Sequence, residues 1–330
     1  MKVISGLTHI HNLSLALGFF DGIHLGHAVV IKNAVRYAKE NGLQSGVILF
    51  RSHPREFFTG KKFEHLIEFN DKISMLNKMG VDYVFLLDFD TKIAKMTAAD
   101  YMENIILPYL RPAAITTGFN HTFGQGGEGT PETLAKYAKD FDFRYFQIPQ
   151  ITAFNHTVSS TVIRNAVKDG DFELVKKLLG YYFYIKSPVI HGRKIGRTIN
   201  FPTANLIYPE NIVGIDIGVY YVYVNLNGNT YRGVMNYGLR PTVDKKDVVP
   251  VPEVHLLDFE GNLYGSVIKV SFVSKIRDER PFNSLEELKQ QIEKDCEYAQ
   301  YYPFKKGQKK KSKQPILRAE NTIVHAPDYL

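Results

Sequence analysis

Leu13-Ser14-Leu15-Ala16-Leu17-Gly18-Phe19-Phe20-Asp21-Gly22-Ile23-His24-Leu25-Gly26-His27 decides how this chain is read. Leu13, Leu15 and Leu17 alternate with Ser14 and Ala16, which is the two-residue period of a strand. From about His27 to Glu40, Val30, Ala34, Tyr37 and Ala38 follow helical spacing, and Asn41-Gly42 stops the run. Glycines and histidines therefore fall where a first strand hands over to a first helix. In an open parallel sheet, ligands bind outside the carboxyl ends of the strands. Gly18 and Gly22 allow a ligand close to the backbone. His27 at a helix N-terminus meets amides and a dipole that favour phosphate. His24 and His27 can donate hydrogen bonds to a phosphate whose charge grows during attack. The bland alternative is two incidental surface histidines, and the spacing inside a glycine-rich turn argues against it. A zinc site would need further ligands, which the one distant cysteine, Cys296, does not supply.

Working outward, residues 1–180 keep alternating strand and helix. Strands are expected at Gly46–Phe50, Val84–Leu87, Ala113–Thr117 and Phe143–Ile148. Helices are expected at Asn70–Met79, Ala98–Leu107 and Pro131–Lys139, with short ones near 160–168 and 171–179 ended by Gly180. Repeated βα steps in one direction imply a parallel sheet with helices on both faces, an α/β unit. From Tyr181 the chain becomes strand-rich. Asn227-Gly228 between Val219–Leu226 and Thr230–Met235 signals a hairpin, and Glu260-Gly261-Asn262 is expected to close a second one. Short antiparallel strands in this region suggest a small all-β barrel or sandwich. Ser284 and Glu287 form an expected capping box for a closing helix with Leu285, Leu288 and Ile292 as its apolar stripe.

Composition and charge bound the rest. A 330-residue chain with 44% hydrophobic and 23% charged residues has the makeup of two globular domains rather than a disordered chain. No apolar run reaches membrane-spanning length, Met1–Gly6 lacks an apolar signal core, and one cysteine cannot pair internally. A cytoplasmic location and no membrane partner are expected. Of the net charge of +7, +5 lies in residues 301–330, leaving +2 for the rest. The run Lys305-Lys306-Gly307-Gln308-Lys309-Lys310-Lys311-Ser312-Lys313 is read as a disordered, solvated tail, with nucleic acid a partner only through that tail. Gly124-Gln125-Gly126-Gly127-Glu128-Gly129 matches a dinucleotide fingerprint in letters alone. It is separated from its strand, no acid follows near the expected spacing, and Thr130 stands where a Walker loop needs lysine. It is read as a flexible loop beside the site.

Two further clusters carry chemistry. In Ser159-Ser160-Thr161-Val162-Ile163-Arg164 the hydroxyls are first of all helix caps, and Arg164 one turn on can clamp phosphate oxygens. In Gly192-Arg193-Lys194-Ile195-Gly196-Arg197-Thr198-Ile199-Asn200-Phe201-Pro202-Thr203-Ala204-Asn205, glycines and cations suit a polyphosphate. Thr203 and Asn205 offer hard oxygen ligands that suit Mg²⁺, although Pro-Thr-Ala-Asn alone is equally explained by turn chemistry. Glu253 opens a strand, where a carboxylate either protects an edge or acts as a general base.

His24-Leu25-Gly26-His27 is the HxGH mark of the nucleotidylyltransferase superfamily. With Gly18–His27 and Ser159–Arg164, the chain closely resembles the bacterial bifunctional riboflavin kinase/FAD synthetase family over roughly residues 10–300. Gly218-Val219-Tyr220, Gly233–Thr242 and Arg277–Phe282 match the kinase half. The resemblance implies a Rossmann-like FMN adenylyltransferase domain at 1–180, a six-stranded riboflavin kinase barrel with a closing helix at 181–304, and a tail at 305–330. It implies that riboflavin and ATP give FMN, and that FMN and ATP give FAD and pyrophosphate, with Mg²⁺ in both steps. His24, His27, Arg164 and Glu253 would be catalytic, with Glu253 deprotonating the ribityl hydroxyl. Gly18, Phe19, Asp21, Gly22, Ser160, Thr161, Gly192, Gly196, Thr203 and Asn205 would bind ATP, Thr203 and Asn205 would also hold the metal, and Asn120 and Arg240 would face the flavin. A monomer or weak oligomer is expected. Departures are Ser52 before His53-Pro54 in place of proline, His121 in place of an aromatic, Asn200 in place of glycine, Tyr237 in place of a smaller residue, and the basic tail. Two rival readings stay open: a chain with only one active module, and a flavin- or nucleotide-sensing binding protein.

Overall fold

The computed structural model describes residues 1–192, 200–241, 248–302, 316–319 and 322–325, with backbone alone at 240–241, 248–249, 316–319 and 322–325. The chain divides into two compact units, Met1–Ser160 with Gln314–Leu330, and Thr161–Lys313.

In the first unit, β2 (Leu13–Leu17) is buried along its whole length because it lies at the centre of a sheet covered on both faces. The sheet also contains β1 (Lys2–Ser5), β3 (Gln44–Phe50), β4 (Tyr83–Leu87), β5 (Ala114–Gly118) and β6 (Arg144–Ile148). Its order is β1-β4-β3-β2-β5-β6, and every pairing is parallel. Leu13, Leu15 and Leu17 pack with Phe85, Met102, Ile106, Ile115 and Leu134 on one face. Ala16, Val47 and Val84 pack with Val30, Ile31, Ala34 and Leu76 on the other. The face covers are α1 (Leu25–Glu40), α3 (Phe69–Lys78) and α7 (Pro131–Asp140), with short α2 (Pro54–Thr59), α4 (Thr91–Ala94), α5 (Ala98–Tyr101) and α6 (Leu107–Leu110). The expected helix at 98–107 runs on to Leu110, with a π-helical stretch at Met102–Ile106. Strand order reverses at β2, which has β3 on one side and β5 on the other. The carboxyl ends of β2 and β5 therefore flank the crevice where such sheets bind ligands.

The glycine-rich 124–129 segment is not the free loop expected. Phe123 and Gly129 exchange two backbone hydrogen bonds of 3.0 and 2.9 Å, Gln125 N donates to Met96 O, and Glu128 caps Ala98 N at 2.7 Å. A small hairpin, β7 (Thr152–Ala153) and β8 (His156–Thr157), pairs with tail strand β15 (Ile316–Ala319), which pairs with β16 (Thr322–His325). The remainder of 305–330 lies outside the described residues.

α8 (Ser160–Lys168) starts on the last residue of the first unit's main segment; from Thr161 on, it and α9 (Phe172–Leu179) lead into the second unit's antiparallel sheet of order β10-β13-β12-β11-β14-β9. The strands are β9 (Tyr184–Pro188), β10 (Ala204–Asn205), β11 (Gly218–Leu226), β12 (Asn229–Pro241), β13 (Val248–Leu256) and β14 (Val267–Arg277). An Ile190–Asn205 bridge, with Ile190 N donating to Asn205 O at 2.9 Å, brings one edge of the sheet back to the other. Val222, Val224, Met235, Val254, Val270 and Phe272 are fully buried, and Phe172 of α9 stacks on Phe272 at 4.8 Å. Asn227 and Gly228, at φ 49° and 87°, form the expected β11–β12 turn. The second expected hairpin does not form. β13 pairs with β10 and β12, whereas β14 crosses to β11 and β9.

The closing helix α10 (Leu285–Tyr301) is capped by Ser284 Oγ on Glu287 N, but Glu287 reaches back to Asn283 N rather than to the cap residue. Leu285 is 61% exposed, so the packed stripe is displaced toward Cys296 and Ala299. Asp295, 2% exposed, receives three hydrogen bonds from Arg277 of β14. Among the described residues no helix is long and apolar enough to cross a membrane.

Candidate active sites

The turn from β2 to α1 is held in an unusual backbone path. Phe20, Gly22 and Ile23 have φ of 51°, 75° and 37°; glycine takes such values freely, whereas a β-branched isoleucine does not. Burial of Phe20 and Ile23, at 1% and 0% exposure, offsets that strain. The buried Asp21 carboxylate accepts the Leu66 N–H at 3.0 and 3.1 Å, and His65 Nδ1 lies 3.7 Å from it. Ser160 Oγ donates to Asp21 O at 3.2 Å, so the first hydroxyl of α8 meets this turn. The Phe19 ring touches His53 and Phe63, and the Lys72 ammonium lies 4.3 Å above it.

His24 is the N-cap of α1: its Nδ1 accepts the His27 N–H at 3.2 Å. The two imidazoles stack with centroids 3.6 Å apart. Gly26 leaves room for the His24 ring, since a Cβ there would lie a tight 3.2 Å from it. The structure thus gathers Gly18, Phe19, Asp21, Gly22, His24, His27 and Ser160 around one turn of the first unit. Thr161 and Arg164 follow on α8 and belong to the second unit. Across the crevice, the turn after β5 carries exposed Asn120. His121 stacks on Phe123, and burial pushes its imidazole down to about 4, so it is an uncharged ring at neutral pH.

Lys72 lies in the helix expected at Asn70–Met79 and carries no role in the sequence reading. It is 2% exposed, donates from Nζ to Phe19 O at 3.2 Å, and burial lowers its ammonium to about 8 while Asp21 opposes that shift. A usable signal existed, since Lys72 shares the apolar face of α3 with Phe69 and Leu76.

In the second unit, Asn205 of β10 is directly opposite Glu253 of β13, which is directly opposite Asn236 of β12. Directly opposed residues project to one face, so the three form a polar row across three strands. Asn236 had not been assigned a role. A Cβ on Gly192 would overlap the Asn205 amide, so a side chain there would displace that amide. The Phe201–Thr203 segment is pinned because His255 Nδ1 donates to Pro202 O at 2.8 Å and its ring meets Phe201. The Thr203 hydroxyl and the Asn205 amide oxygen, two residues apart in the chain, are hard oxygen atoms of the kind that suits a small divalent cation, and Asn205 lies beside Glu253. Asn200 takes φ 65°, a left-handed conformation that asparagine tolerates next best to glycine, which accounts for that substitution. Tyr237 is buried and its ring meets Tyr208. Arg240 lies on β12 opposite Val249, and Gly196 lies outside the described residues.

Comparisons with known proteins fall on the same division. The FAD synthetase family profile matches residues 7–162 and the riboflavin kinase profile matches residues 179–302. The bifunctional riboflavin kinase/FMN adenylyltransferase of Bacillus subtilis is 37% identical over 315 residues, spanning 92% of this chain and 98% of its own. Those of Haemophilus influenzae and Escherichia coli are 38% and 37% identical, spanning 92% and 89% of this chain and 99% and 96% of theirs. A crystal structure described as a macrolide-efflux protein from Streptococcus pneumoniae is 29% identical with a TM-score of 0.83, covering 92% of this chain and all of that one.

Proposed function

The chain belongs to the bifunctional riboflavin kinase/FMN adenylyltransferase family, and from that premise we propose how its residues divide two phosphate chemistries. It is a transferase of flavin nucleotide synthesis with both activities: riboflavin kinase, which forms FMN, and FMN adenylyltransferase, which forms FAD. We assign adenylyl transfer to 1–180, phosphorylation to 181–304, and a tail to 305–330.

In adenylyl transfer, a phosphate oxygen of FMN attacks the α-phosphorus of ATP and the bond to pyrophosphate breaks. While His24 Nδ1 accepts the His27 amide, Nε2 carries the ring hydrogen and can donate to the α-phosphate. His27, stacked on it, is the second donor, and charge accumulating on the phosphoryl oxygens is what such donors stabilise. Ser160, Thr161 and Arg164 hold the outer phosphates, and Asn120 faces FMN. In phosphorylation, Glu253 takes the proton of the terminal ribityl hydroxyl as its oxygen attacks the γ-phosphorus, and ADP leaves. Asn205, beside Glu253, and Thr203 hold ATP together with a divalent cation, for which Mg²⁺ is the assignment that their hard oxygens favour. When bound, that cation spreads charge from the phosphate oxygens. Arg240 faces the flavin. A cytoplasmic location is part of this reading and agrees with a single, half-buried cysteine.

The observation that supports the reading is that each unit has its own polar cluster, a stacked histidine pair in one and the Asn205–Glu253 row in the other, to which we assign the phosphate chemistry. The test gives purified protein ATP, Mg²⁺ and either riboflavin or FMN, and separates the flavins by chromatography. FAD from both substrates, with FMN passing through as an intermediate, supports it. Flavin binding without conversion contradicts it.

A further inference from the structure

We infer that Lys72 is a positioning residue for adenylyl transfer, holding the Phe19–Ile23 turn in the shape that receives the ATP phosphates; this rests on the histidine-pair reading above. Its ammonium reaches from α3 into the turn, donates to Phe19 O at 3.2 Å and covers the Phe19 ring at 4.3 Å. That turn is strained at Phe20 and Ile23 and ends on the cap of α1, so a shift at Phe19 is carried to His24 and His27. Lys72 also sets a positive charge near the buried Asp21 carboxylate, which otherwise would repel a polyphosphate.

Burial lowers the Lys72 amine to about 8, so the unfolded chain binds its proton more tightly than the folded chain does. Keeping the ammonium charged therefore costs stability below about pH 8, and the cost falls away as the pH rises toward 10.5. A group retained against stability is the pattern of a functional role. The charged group that acts on it is Asp21 in the turn; His65 lies beside Asp21, His53 lies on the Phe19 ring, and Glu68 and Asp71 belong to the cap and first turn of its own helix.

The test measures KM for ATP in FMN adenylylation from about pH 6.5 to about 9.5 for the native chain and Lys72→Met, with thermal melting and riboflavin phosphorylation on the same samples. Native KM is expected to rise above about pH 8. Lys72→Met is expected to show KM raised about tenfold at neutral pH with no alkaline limb, unchanged riboflavin phosphorylation, and melting no lower than native. A variant with native KM, or one that melts well below native, overturns the inference. Amide exchange of the turn, corrected for intrinsic rates, gives a readout independent of activity. If the native chain forms no FAD, the histidine-pair reading fails and exchange alone judges Lys72. Protection at Gly22–His24 that is lost above about pH 8 upholds the inference, and protection that ignores pH overturns it.

Discussion

His24 and His27 stack with 13° between their ring planes, and the Nδ1 of one accepts the backbone N–H of the other. One imidazole therefore both caps a helix and presents its opposite nitrogen as a donor. The cap bond uses the backbone N–H of His27, which a side-chain substitution leaves in place. His27→Ala is expected to lower FAD formation from FMN by about 10²–10³-fold while FMN formation from riboflavin is unchanged. Equal loss of both, followed by chromatography, would contradict two separate sites.

The Asn205–Glu253–Asn236 row predicts the converse. Glu253→Gln keeps the side chain's shape but replaces a carboxylate oxygen with an amide NH2, which removes the proposed base. Riboflavin phosphorylation is expected to fall by about 10²–10⁴-fold, while added FMN is still converted to FAD. Loss of the second activity in the same variant would contradict the division.

His121 predicts a pH effect on stability. Burial holds its folded-state imidazole near 4, against 6.5 for the free group. The unfolded chain therefore binds the proton more readily, and stability is full above about pH 6.5 and lost as pH falls toward about 4. His121→Phe keeps a ring on Phe123 and removes the titration. Its melting temperature is expected to fall less than native between neutral pH and about 4.5. Parallel pH dependences would contradict the assignment.

Arg277 and Asp295 tie α10 to β14. The carboxylate is 2% exposed and the guanidinium side chain 20% exposed. Asp295→Ala strands a largely buried cation, and a loss of about 3 kcal/mol is expected in denaturant unfolding of the second unit. A loss below about 1 kcal/mol would place this pair with ordinary surface ion pairs.

Much of this was legible from local pattern. Leu13–His27 announces a strand, a turn and a helix, and Asn227-Gly228 announces a hairpin, because each signal lies within a few residues of its effect. Non-local effects were not legible. Glu260-Gly261-Asn262 marks a reversal but not a partner, and β14 finds β11 instead of β13. Lys2–Ser5 pairs at the sheet edge with three of its four residues exposed, so it lacks the apolar contrast that announces a strand. Leu285 fits the helical stripe by spacing, yet the barrel is covered by the far half of α10. Asn236 joins Glu253 only through strand register, and the Phe19 carbonyl that Lys72 meets lies 53 residues away in the chain.

The most direct test of two independent sites mixes the variants. His27→Ala with riboflavin, ATP and Mg²⁺ should stop at FMN, and Glu253→Gln should leave riboflavin unchanged. An equimolar mixture of the two should form FAD, because FMN released by one chain is adenylylated by the other. A mixture that forms no FAD, although the native chain does, would contradict the account.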